Sequence, residues 1–404
     1  MDNASCRPSA AGLLRTGFQS ARCRVAPSVL RRWLLRMDAP LRIVLPDGEA
    51  VFSRGATDSA PTLTVLNPRF FERVPWHGSI GLGESYMASE WDADDLVGVC
   101  GALGMSVVTA VPALIRWGRR WFGPRVVAGA VGKATDYAAA HYERPNELFE
   151  LFLDDTMSYS CAIFDGTSDL EEAQRLKYES ICDLADIRAN DHVLDLGVGW
   201  AGFAIHAAAT RGCRVTGISL TPGQQAWARR RVEAAGVQEL VTLEIADYRQ
   251  YAGSFDVVVS LEMFEHVGAR YWREYFERCA AMLRPTGRMA MQTITESDRY
   301  FRFYGRSMGF INKHIYPGGM LSSVRQLRRT IAQSPFRLGM SREIGQHYVP
   351  TLAEWRHRFD ANQNRIETLG FGESFRRMWE LYLAGSQAMF DRRTLGDVQL
   401  LLAP

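Results

Sequence analysis

The residues best suited to chemistry follow short apolar segments of this 404-residue chain. Gly197, Gly199 and Gly202 come within six positions after "HVLDL", and Glu262 and Glu265 follow "FDVVVSL". A glycine turn after a strand lets the backbone approach a ligand closely. Glutamates are side chains that can take part in general acid–base chemistry. The spacing therefore predicts a small-molecule site at the turn, with two acidic side chains after another strand.

The elements that must position these residues alternate between strand and helix from residue 137 onward. The strand-like segments are "HVLDLG", "CRVTGIS", "VTLEIAD", "FDVVVSLE" and "GRMAMQTI". The helix-like segments between them are "FAIHAAATRG", "GQQAWARRRVEAAG" and "RYWREYFERCAAML". Short apolar strands separated by helices indicate an α/β fold with a doubly wound, mostly parallel sheet. In such a sheet the ligand lies beyond the carboxyl ends of the strands.

The surroundings of the glycine turn favour S-adenosylmethionine over a dinucleotide. Trp200 and Phe203 are bulkier than the residues usual beside a pyrophosphate. The second strand ends at Ser219 without the acid that holds a ribose in dinucleotide sites. Asp247 instead follows the third strand, where methyltransferases commonly contact adenine. A glycine turn without a ligand is the alternative interpretation.

Three segments of different composition precede the α/β region. Residues 1–37 contain seven arginines and one acid, which is typical of a disordered basic leader, a transit peptide or a helix on a membrane surface. Residues 38–100 contain a hairpin signal, Asp47-Gly48, and predict a small α+β domain. Residues 101–136 predict an amphipathic linker, in which two tryptophans four positions apart lie among arginines.

The composition argues against several classes of protein. A net charge of +2 does not favour binding to nucleic acid through overall charge, so no nucleic-acid partner is expected. Seven cysteines without a CxxC pair argue against a zinc site or a disulfide framework, and they suit a reducing compartment. No metal site is expected. No apolar run reaches the ~18 residues that a membrane span requires.

Seven motifs occur in one order in the second part of the chain: "HYERPNELFELFLDDTMSYSCAIF", "VLDLGVGWAGFAIHAA", "GCRVTGISLTPGQ", "FDVVVSLEMFEHVG", "FINKHIYPGGML", "HYVPTLAEWRHRF" and "MWELYLAG". Together they resemble the cyclopropane-fatty-acyl-phospholipid synthase family, which includes mycolic acid cyclopropane synthases and enzymes forming 10-methylene or 10-methyl fatty acids. The resemblance implies a seven-stranded class I methyltransferase domain over residues 137–404, with an acyl-pocket insertion at about 296–350.

The resemblance also assigns residues to three roles. The donor S-adenosylmethionine would contact Tyr159, Ser160, Asp195, Gly197, Gly199, Trp200, Ser219, Leu220, Gln224, Asp247 and Tyr248. A bicarbonate ion would act as the base, held by Cys161, Glu265, Gln292, Ile294 and Tyr348. The aromatic faces of Tyr304, Phe310 and Tyr316 would bind the acyl chain and stabilise a carbocation on it.

Four positions depart from the family pattern. Gln292 replaces a histidine, and an amide keeps a donor and an acceptor but cannot carry a proton at neutral pH. Glu262 lies three residues before Glu265 and is an additional candidate base. Val198 replaces the cysteine of the glycine turn. Ser386 replaces a carboxyl-terminal cysteine, so no covalent intermediate is expected.

The resemblance implies C-methylation of unsaturated phospholipid acyl chains, with the enzyme in the cytoplasm, peripheral to the inner face of the membrane. Proton loss from the added methyl would close a cyclopropane, whereas a preceding hydride shift would give a 10-methylene chain. A separate flavin or nicotinamide reductase would then complete a methyl branch. A homodimer is compatible with the sequence. The alternatives are a methyltransferase for a small soluble nucleophile and a non-enzymatic lipid- or RNA-binding module.

Overall fold

The structure is a computed structural model that describes residues 34–109, 144–304 and 308–404. Most of the predicted basic leader, residues 1–37, lies outside the described residues. The same holds for most of the predicted linker, residues 101–136, including its tryptophan and arginine cluster. The interpretation of both segments therefore stays a prediction.

The chain forms two compact units. One contains the residues before 116 together with 372–381, and the other contains residues 116–371 and 382–404. Within the described ranges, no helix combines the length and the apolar character needed to cross a membrane. The described side chains also include no cluster of three or more histidines, cysteines or acids that could hold a metal ion.

The described part of the first unit contains a four-stranded sheet. Its strands are β1 (Arg42–Val44), β2 (Ala50–Phe52), β3 (Thr62–Val65) and β4 (Trp91–Ala93), in the order β2-β1-β3-β4. The accompanying helices are α1 (Phe70–His77), α2 (Ser79–Met87) and α3 (Leu96–Thr109). β1 and β2 form an antiparallel hairpin whose turn contains Gly48 at a φ of 85°, a conformation that favours glycine.

The buried Arg377 connects residues 372–381 to this sheet. Its guanidinium donates to the carbonyl oxygens of Tyr86, at 2.6 Å, and Trp91, at 2.8 Å. It also lies 3.9 Å from the centre of the Tyr86 ring, where a cation–π interaction is favourable. Hydrogen bonds from Ser89 to Glu373 and from Tyr86 to Glu380 add to this connection, so a segment distant in the sequence is part of the first unit.

The second unit is built on the sheet that the sequence predicts. Its strands are β5 (His192–Leu196), β6 (Arg214–Ser219), β7 (Val241–Ile245), β8 (Phe255–Leu261), β9 (Leu283–Glu296), β11 (Arg337–Glu343) and β12 (Leu395–Ala403). The order is β11-β12-β9-β8-β5-β6-β7, and a two-residue strand, β10 (Ser322–Ser323), also pairs with β9. β5 to β9 are parallel, whereas β11 and β12 are antiparallel at one edge. The predicted seven-stranded, mostly parallel α/β sheet is confirmed.

Helices cover this sheet and create two apolar cores. The helices are α4 (Asn146–Glu150), α5 (Leu170–Leu184), α6 (Gly202–Arg211), α7 (Pro222–Ala234), α8 (Trp272–Ala281), α9 (Asp298–Tyr304), α10 (Phe310–His314), α11 (Val324–Ile331), α12 (Tyr348–Ala361), α13 (Gln363–Thr368) and α14 (Glu373–Asp391). One core contains residues of α5, α6 and α7, and the other contains residues of α8 and α11. The doubly wound arrangement leaves the carboxyl ends of β5 to β8 as the place for a ligand.

The turn between β5 and α6 depends on glycine for two different reasons. Gly197 has a φ of 83° and Gly199 a φ of 53°, both in the left-handed region. Gly202 is needed for space, because a Cβ there would collide with the Tyr178 hydroxyl and the Thr156 carbonyl oxygen. The backbone of α6 therefore packs directly on its neighbours, which fixes the position of the turn.

We expect Gly202→Ala to lower the free energy of unfolding by roughly 1–3 kcal/mol, the range typical of overpacked sites. The matched control is Gly223→Ala in α7, where an added Cβ meets nothing within 4 Å. Alanine is favoured over glycine in helices, so the control should be neutral or slightly stabilising. Urea unfolding of both variants tests this, and equal midpoints would show that the packing at Gly202 relaxes without cost.

Candidate active site

All eleven residues that the sequence assigns to the donor line one cavity. They come from the segment before α5, from β5 and the β5–α6 turn, from the ends of β6 and β7, and from the first turn of α7. The cavity therefore lies at the carboxyl ends of the parallel strands, where ligands of doubly wound sheets bind. Glu262, which follows β8, lines the same cavity.

Features of the cavity wall fit a ligand rich in hydrogen-bonding groups. A Cβ built on Gly199 would meet only the Gly197 carbonyl oxygen, at 3.9 Å, so the backbone there is open to close approach. The Ser219 hydroxyl is buried and has no hydrogen-bond partner, which is rare unless a ligand or water supplies one. The Asp247 carboxylate accepts from Arg249 Nε at 2.9 and 3.0 Å, so its orientation is fixed. These groups fit S-adenosylmethionine.

The three predicted acyl-chain residues are placed differently from one another. Tyr316 packs 6.3 Å from Tyr159, and both hydroxyls approach Tyr382 Oη, at 3.3 and 2.9 Å. Phe310 is buried but does not line the donor cavity. The side chain of Tyr304, the last residue of α9, lies outside the described part of the chain. Of the two whose side chains are described, the structure brings Tyr316 into contact with a donor-site residue.

Glu262 accepts hydrogen bonds from three separate chain segments. Its Oε1 accepts from the Cys161 backbone N–H at 2.8 Å and from Gln292 Nε2 at 2.8 Å. Its Oε2 accepts from Tyr348 Oη at 2.5 Å. Glu262 also has a φ of 51°, a left-handed conformation that costs a non-glycine residue roughly 1–3 kcal/mol. Strained backbone thus directs a carboxylate into a set of donors beside the cavity.

Two residues that sequence reasoning missed determine how Gln292 is oriented. Gln399 Nε2 donates to Gln292 Oε1 at 3.1 Å, so the Gln292 amide nitrogen must face the other way. That nitrogen donates to Glu262 and, at 3.2 Å, to Asp397 Oδ2. Both missed residues are nearly fully buried on β12, where Gln399 pairs with Gln292 of β9. The polar residues of the otherwise apolar "GDVQLLLA" were the available signal.

Glu265 lies in the same cluster as Glu262, and its pKa is raised. Its Oε1 accepts from Thr293 Oγ1 at 2.9 Å and from the Ile294 backbone N–H at 2.5 Å. Burial, reinforced by the nearby Glu262 charge, raises the pKa of Glu265 to about 8. This carboxyl is therefore mostly protonated at neutral pH. Glu265 does not line the donor cavity, whereas Glu262 does.

Burial also raises the pKa of two further groups of the cluster, Asp397 and Cys161. Burial, followed by the Glu262 charge, raises the pKa of Asp397 well above its usual range. Burial likewise raises the pKa of the Cys161 thiol, which donates to the Ala162 carbonyl oxygen at 3.3 Å. Cys161 therefore contributes its backbone N–H rather than a thiolate.

The cluster does not fit the bicarbonate ion that the resemblance implies. The Cys161 N–H, Gln292 Nε2 and Tyr348 Oη all donate to Glu262. An added anion would have to compete with this carboxylate for the same donors and would be repelled by its charge. The arrangement argues against bound bicarbonate, because a side chain of the protein already occupies these donors.

Comparisons with known proteins agree with the fold and the cavity. Residues 131–400 match the family model described as mycolic acid cyclopropane synthetase. The tuberculostearic acid methyltransferase of Mycobacterium tuberculosis is 38% identical over 95% of this chain and 92% of its own. The cyclopropane-fatty-acyl-phospholipid synthase of Escherichia coli is 34% identical over 85% of this chain and 87% of its own. The crystal structure of mycolic acid cyclopropane synthase CmaA1 complexed with SAH and CTAB is 26% identical, with a TM-score of 0.62, covering 66% of this chain and 97% of that one.

The fold and its cavity define a class I S-adenosylmethionine-dependent methyltransferase. More specifically, the chain belongs to the mycolic acid cyclopropane synthetase family. The match extends from before the glycine turn to β12. S-adenosylmethionine is therefore its methyl donor.

We expect Gly199→Leu to abolish donor binding, because the new side chain would enter the space that the backbone leaves open. Gly236→Leu is the matched control: Gly236 also has a left-handed φ, 70°, with nothing within 4 Å, and it does not line the cavity. Both variants carry similar backbone strain, so only the position relative to the cavity differs. Calorimetric titration with S-adenosylhomocysteine measures the effect, and parental affinity in a folded Gly199→Leu variant would disprove this placement.

Proposed function

We propose that this enzyme methylates an alkene carbon of an unsaturated lipid acyl chain and that Glu262 then removes a proton from the resulting carbocation. The observation that carries this proposal is the position of the Glu262 carboxylate on the wall of the donor cavity. Three hydrogen-bond donors from separate chain segments hold its carboxyl oxygens. A fixed carboxylate beside the methyl donor is what proton removal from a newly methylated carbon requires.

The chemistry explains why these residue types are needed. An alkene carbon is a weak nucleophile, so it must be held close to the methyl group in a site that excludes water. Bound S-adenosylmethionine supplies an electrophilic methyl group. Tyr316 offers an aromatic face next to Tyr159 of the donor site, where it would stabilise positive charge on the chain. The negative charge of Glu262 would do the same before it accepts the proton.

Glu265 has a positioning role in this proposal. Its carboxyl group contacts the side chain of Thr293 and the backbone of Ile294, which flank Gln292 on β9. It therefore helps hold the strand that presents Gln292 to Glu262. The sequence favoured Glu265 as the base, but the cavity wall and the hydrogen bonds support Glu262 in that role.

The proposed substrate is the acyl chain of a phospholipid. The names of two relatives support this, since one is a cyclopropane-fatty-acyl-phospholipid synthase and the other a tuberculostearic acid methyltransferase. Such chains lie in a membrane, so we propose a cytoplasmic enzyme that works at the inner membrane face. Among the described residues, no helix is long and apolar enough to span a membrane.

Two products arise from one carbocation. Loss of a proton from the added methyl closes a cyclopropane, which is the product we propose. A hydride shift before that loss gives a 10-methylene chain, which a separate reductase would convert to a methyl branch. The 38% identity with the tuberculostearic acid methyltransferase over 95% of the chain favours this second candidate. Both reactions use the same donor and the same base.

Expression in a host rich in monounsaturated phospholipids should add 14 mass units to those chains. Gas chromatography and mass spectrometry of the methyl esters separate the cyclopropane from the methylene product. A Gly199→Leu variant provides the control that lacks donor binding. If no chain gains mass while the purified protein binds S-adenosylhomocysteine, the acyl substrate is wrong and a soluble nucleophile becomes the better proposal.

We expect Glu262→Gln to lower turnover by roughly 10²- to 10⁴-fold, the range for a lost general base, with nearly unchanged donor affinity. Glutamine keeps the shape of the glutamate side chain but lacks its charge. Its amide nitrogen would face groups that are themselves hydrogen-bond donors. Glu265→Gln should cost far less, because Glu265 is mostly neutral at pH 7. Initial rates on unsaturated phospholipid vesicles measure both. A large loss confined to Glu265→Gln would reverse the assignment.

A further inference from the structure

One segment of the methyltransferase domain carries a large excess of positive charge. Residues 297–342 contain nine arginines and lysines and a single acid, Asp298. The net charge of the whole chain is only +2, so the remaining residues together contain more acids than cations. A local excess of this size creates a positive potential that attracts an anionic surface.

Helix α11 displays part of this charge on one face. Arg325, Arg328 and Arg329 are spaced at i, i+3 and i+4, so they lie side by side, and all three are exposed. Leu327 and Ile331 are nearly fully buried in the apolar core that α11 shares with α8. The helix is therefore held by its apolar side and directs three guanidinium groups to the solvent. These three arginines are called the α11 basic face.

Acids of the described residues neutralise this face only in part. The Asp298 carboxylate of α9 accepts from Arg325 Nε at 3.0 Å, and the two side chains are 42% and 76% exposed, respectively. An ion pair this exposed contributes little. No ion pair among the described residues includes Arg328 or Arg329. At least two full positive charges of the α11 basic face thus remain available to a partner.

The α11 basic face is connected to the donor cavity by a short stretch of chain. Gly318 lines the cavity, and the Met320 backbone N–H donates to the Glu265 carbonyl oxygen at 2.7 Å. The chain then forms β10 and enters α11 at Val324. The stretch from Gly318 to Val324 can span at most about 20 Å. The hydrocarbon layer of one membrane leaflet is about 15 Å thick, so a headgroup at this face leaves its acyl chain within reach of the cavity.

We propose that the α11 basic face docks the enzyme on an anionic phospholipid bilayer and holds the donor cavity at the membrane surface. Each basic side chain near such a surface increases binding by roughly fivefold. A bilayer fits better than another anionic partner, because the proposed substrate is an acyl chain of that bilayer. The inference rests on the proposed function and assigns docking to the methyltransferase domain itself, apart from the leader and the linker.

Co-sedimentation of the full chain with vesicles tests this docking surface. The vesicles contain equal amounts of phosphatidylglycerol and phosphatidylcholine. Replacing Arg328→Ala together with Arg329→Ala should lower the partition coefficient roughly 30-fold at low salt. Arg325 is kept because it pairs with Asp298. At about 1 M salt the screening length falls to about 3 Å, so the difference between variant and parent should disappear.

Two further variants make the comparison specific. Arg214→Ala together with Arg230→Ala removes the same charge from exposed residues elsewhere. Arg214 begins β6, at the edge of the sheet opposite the cavity, and Arg230 lies on α7. This control should lower the partition coefficient by less than about threefold. Arg328→Lys together with Arg329→Lys keeps the charge and should partition like the parent. Calorimetric titration with S-adenosylhomocysteine confirms that each variant is folded.

A loss that is confined to the α11 alanine variant and reversed by lysine supports the proposal. Equal partition of this variant and the parent, or an equal loss in the Arg214 and Arg230 control, overturns it. Equal binding of the parent to pure phosphatidylcholine vesicles would also overturn it, because the attraction would not depend on anionic lipid. Partition is measured without turnover. Docking by a protein that adds no mass to acyl chains would therefore support this surface and refute the proposed substrate alone.

Discussion

One carboxylate holds together the part of the molecule where chemistry occurs. Glu262 receives hydrogen bonds from the loop before α5, from β9 and from the start of α12. These segments are far apart in the sequence, so their approach depends on a shared acceptor. Hydrogen bonds to charged groups are worth roughly 1.5–3 kcal/mol each, and buried donors left without an acceptor cost a similar amount. This interaction therefore stabilises the strained φ of Glu262 and orders the wall of the cavity.

Burial, reinforced for two of them by the Glu262 charge, raises the pKa values of the neighbouring acids. Three other acids lie near it or along the cavity, and acids in one buried cluster cannot all ionise. Glu265 and Asp397 respond with raised pKa values, and burial also raises the pKa of Asp195 to about 7. The ammonium group of Lys177, which is buried on α5, offsets part of the negative charge of these acids. The Glu262 carboxyl group lies beside the place where a carbocation would form, and low local polarity strengthens the attraction between opposite charges.

Sequence reasoning succeeded where the pattern is local. Short apolar strands, helices and a glycine turn predict a doubly wound sheet, and residues that follow parallel strands must meet at one edge. This is why the donor residues at the ends of β5, β6 and β7 line the same cavity. Tyr159, Ser160 and Gln224 also line it, but only the family resemblance identified them. The hydrogen bonds around Glu262 were harder to predict. They depend on the left-handed φ of Glu262 and on side-chain directions, which residue spacing does not encode. Asp397 and Gln399 were missed because their burial follows from the pairing of β12 with β9, about one hundred residues earlier in the chain.

The replacement of a histidine by Gln292 is consistent with a base supplied by the protein. Gln399 fixes the Gln292 amide so that its nitrogen faces Glu262, and an amide takes up no proton near neutral pH. The Cys161 N–H and Tyr348 Oη also act as donors toward this carboxylate. None of the three groups that hold Glu262 is therefore arranged to accept a proton from it. Asp397 is a different neighbour, because burial, the Glu262 charge and a hydrogen bond with Glu262 all raise its pKa. A proton taken from the acyl chain would therefore be shared with Asp397 or leave through the cavity that Glu262 lines.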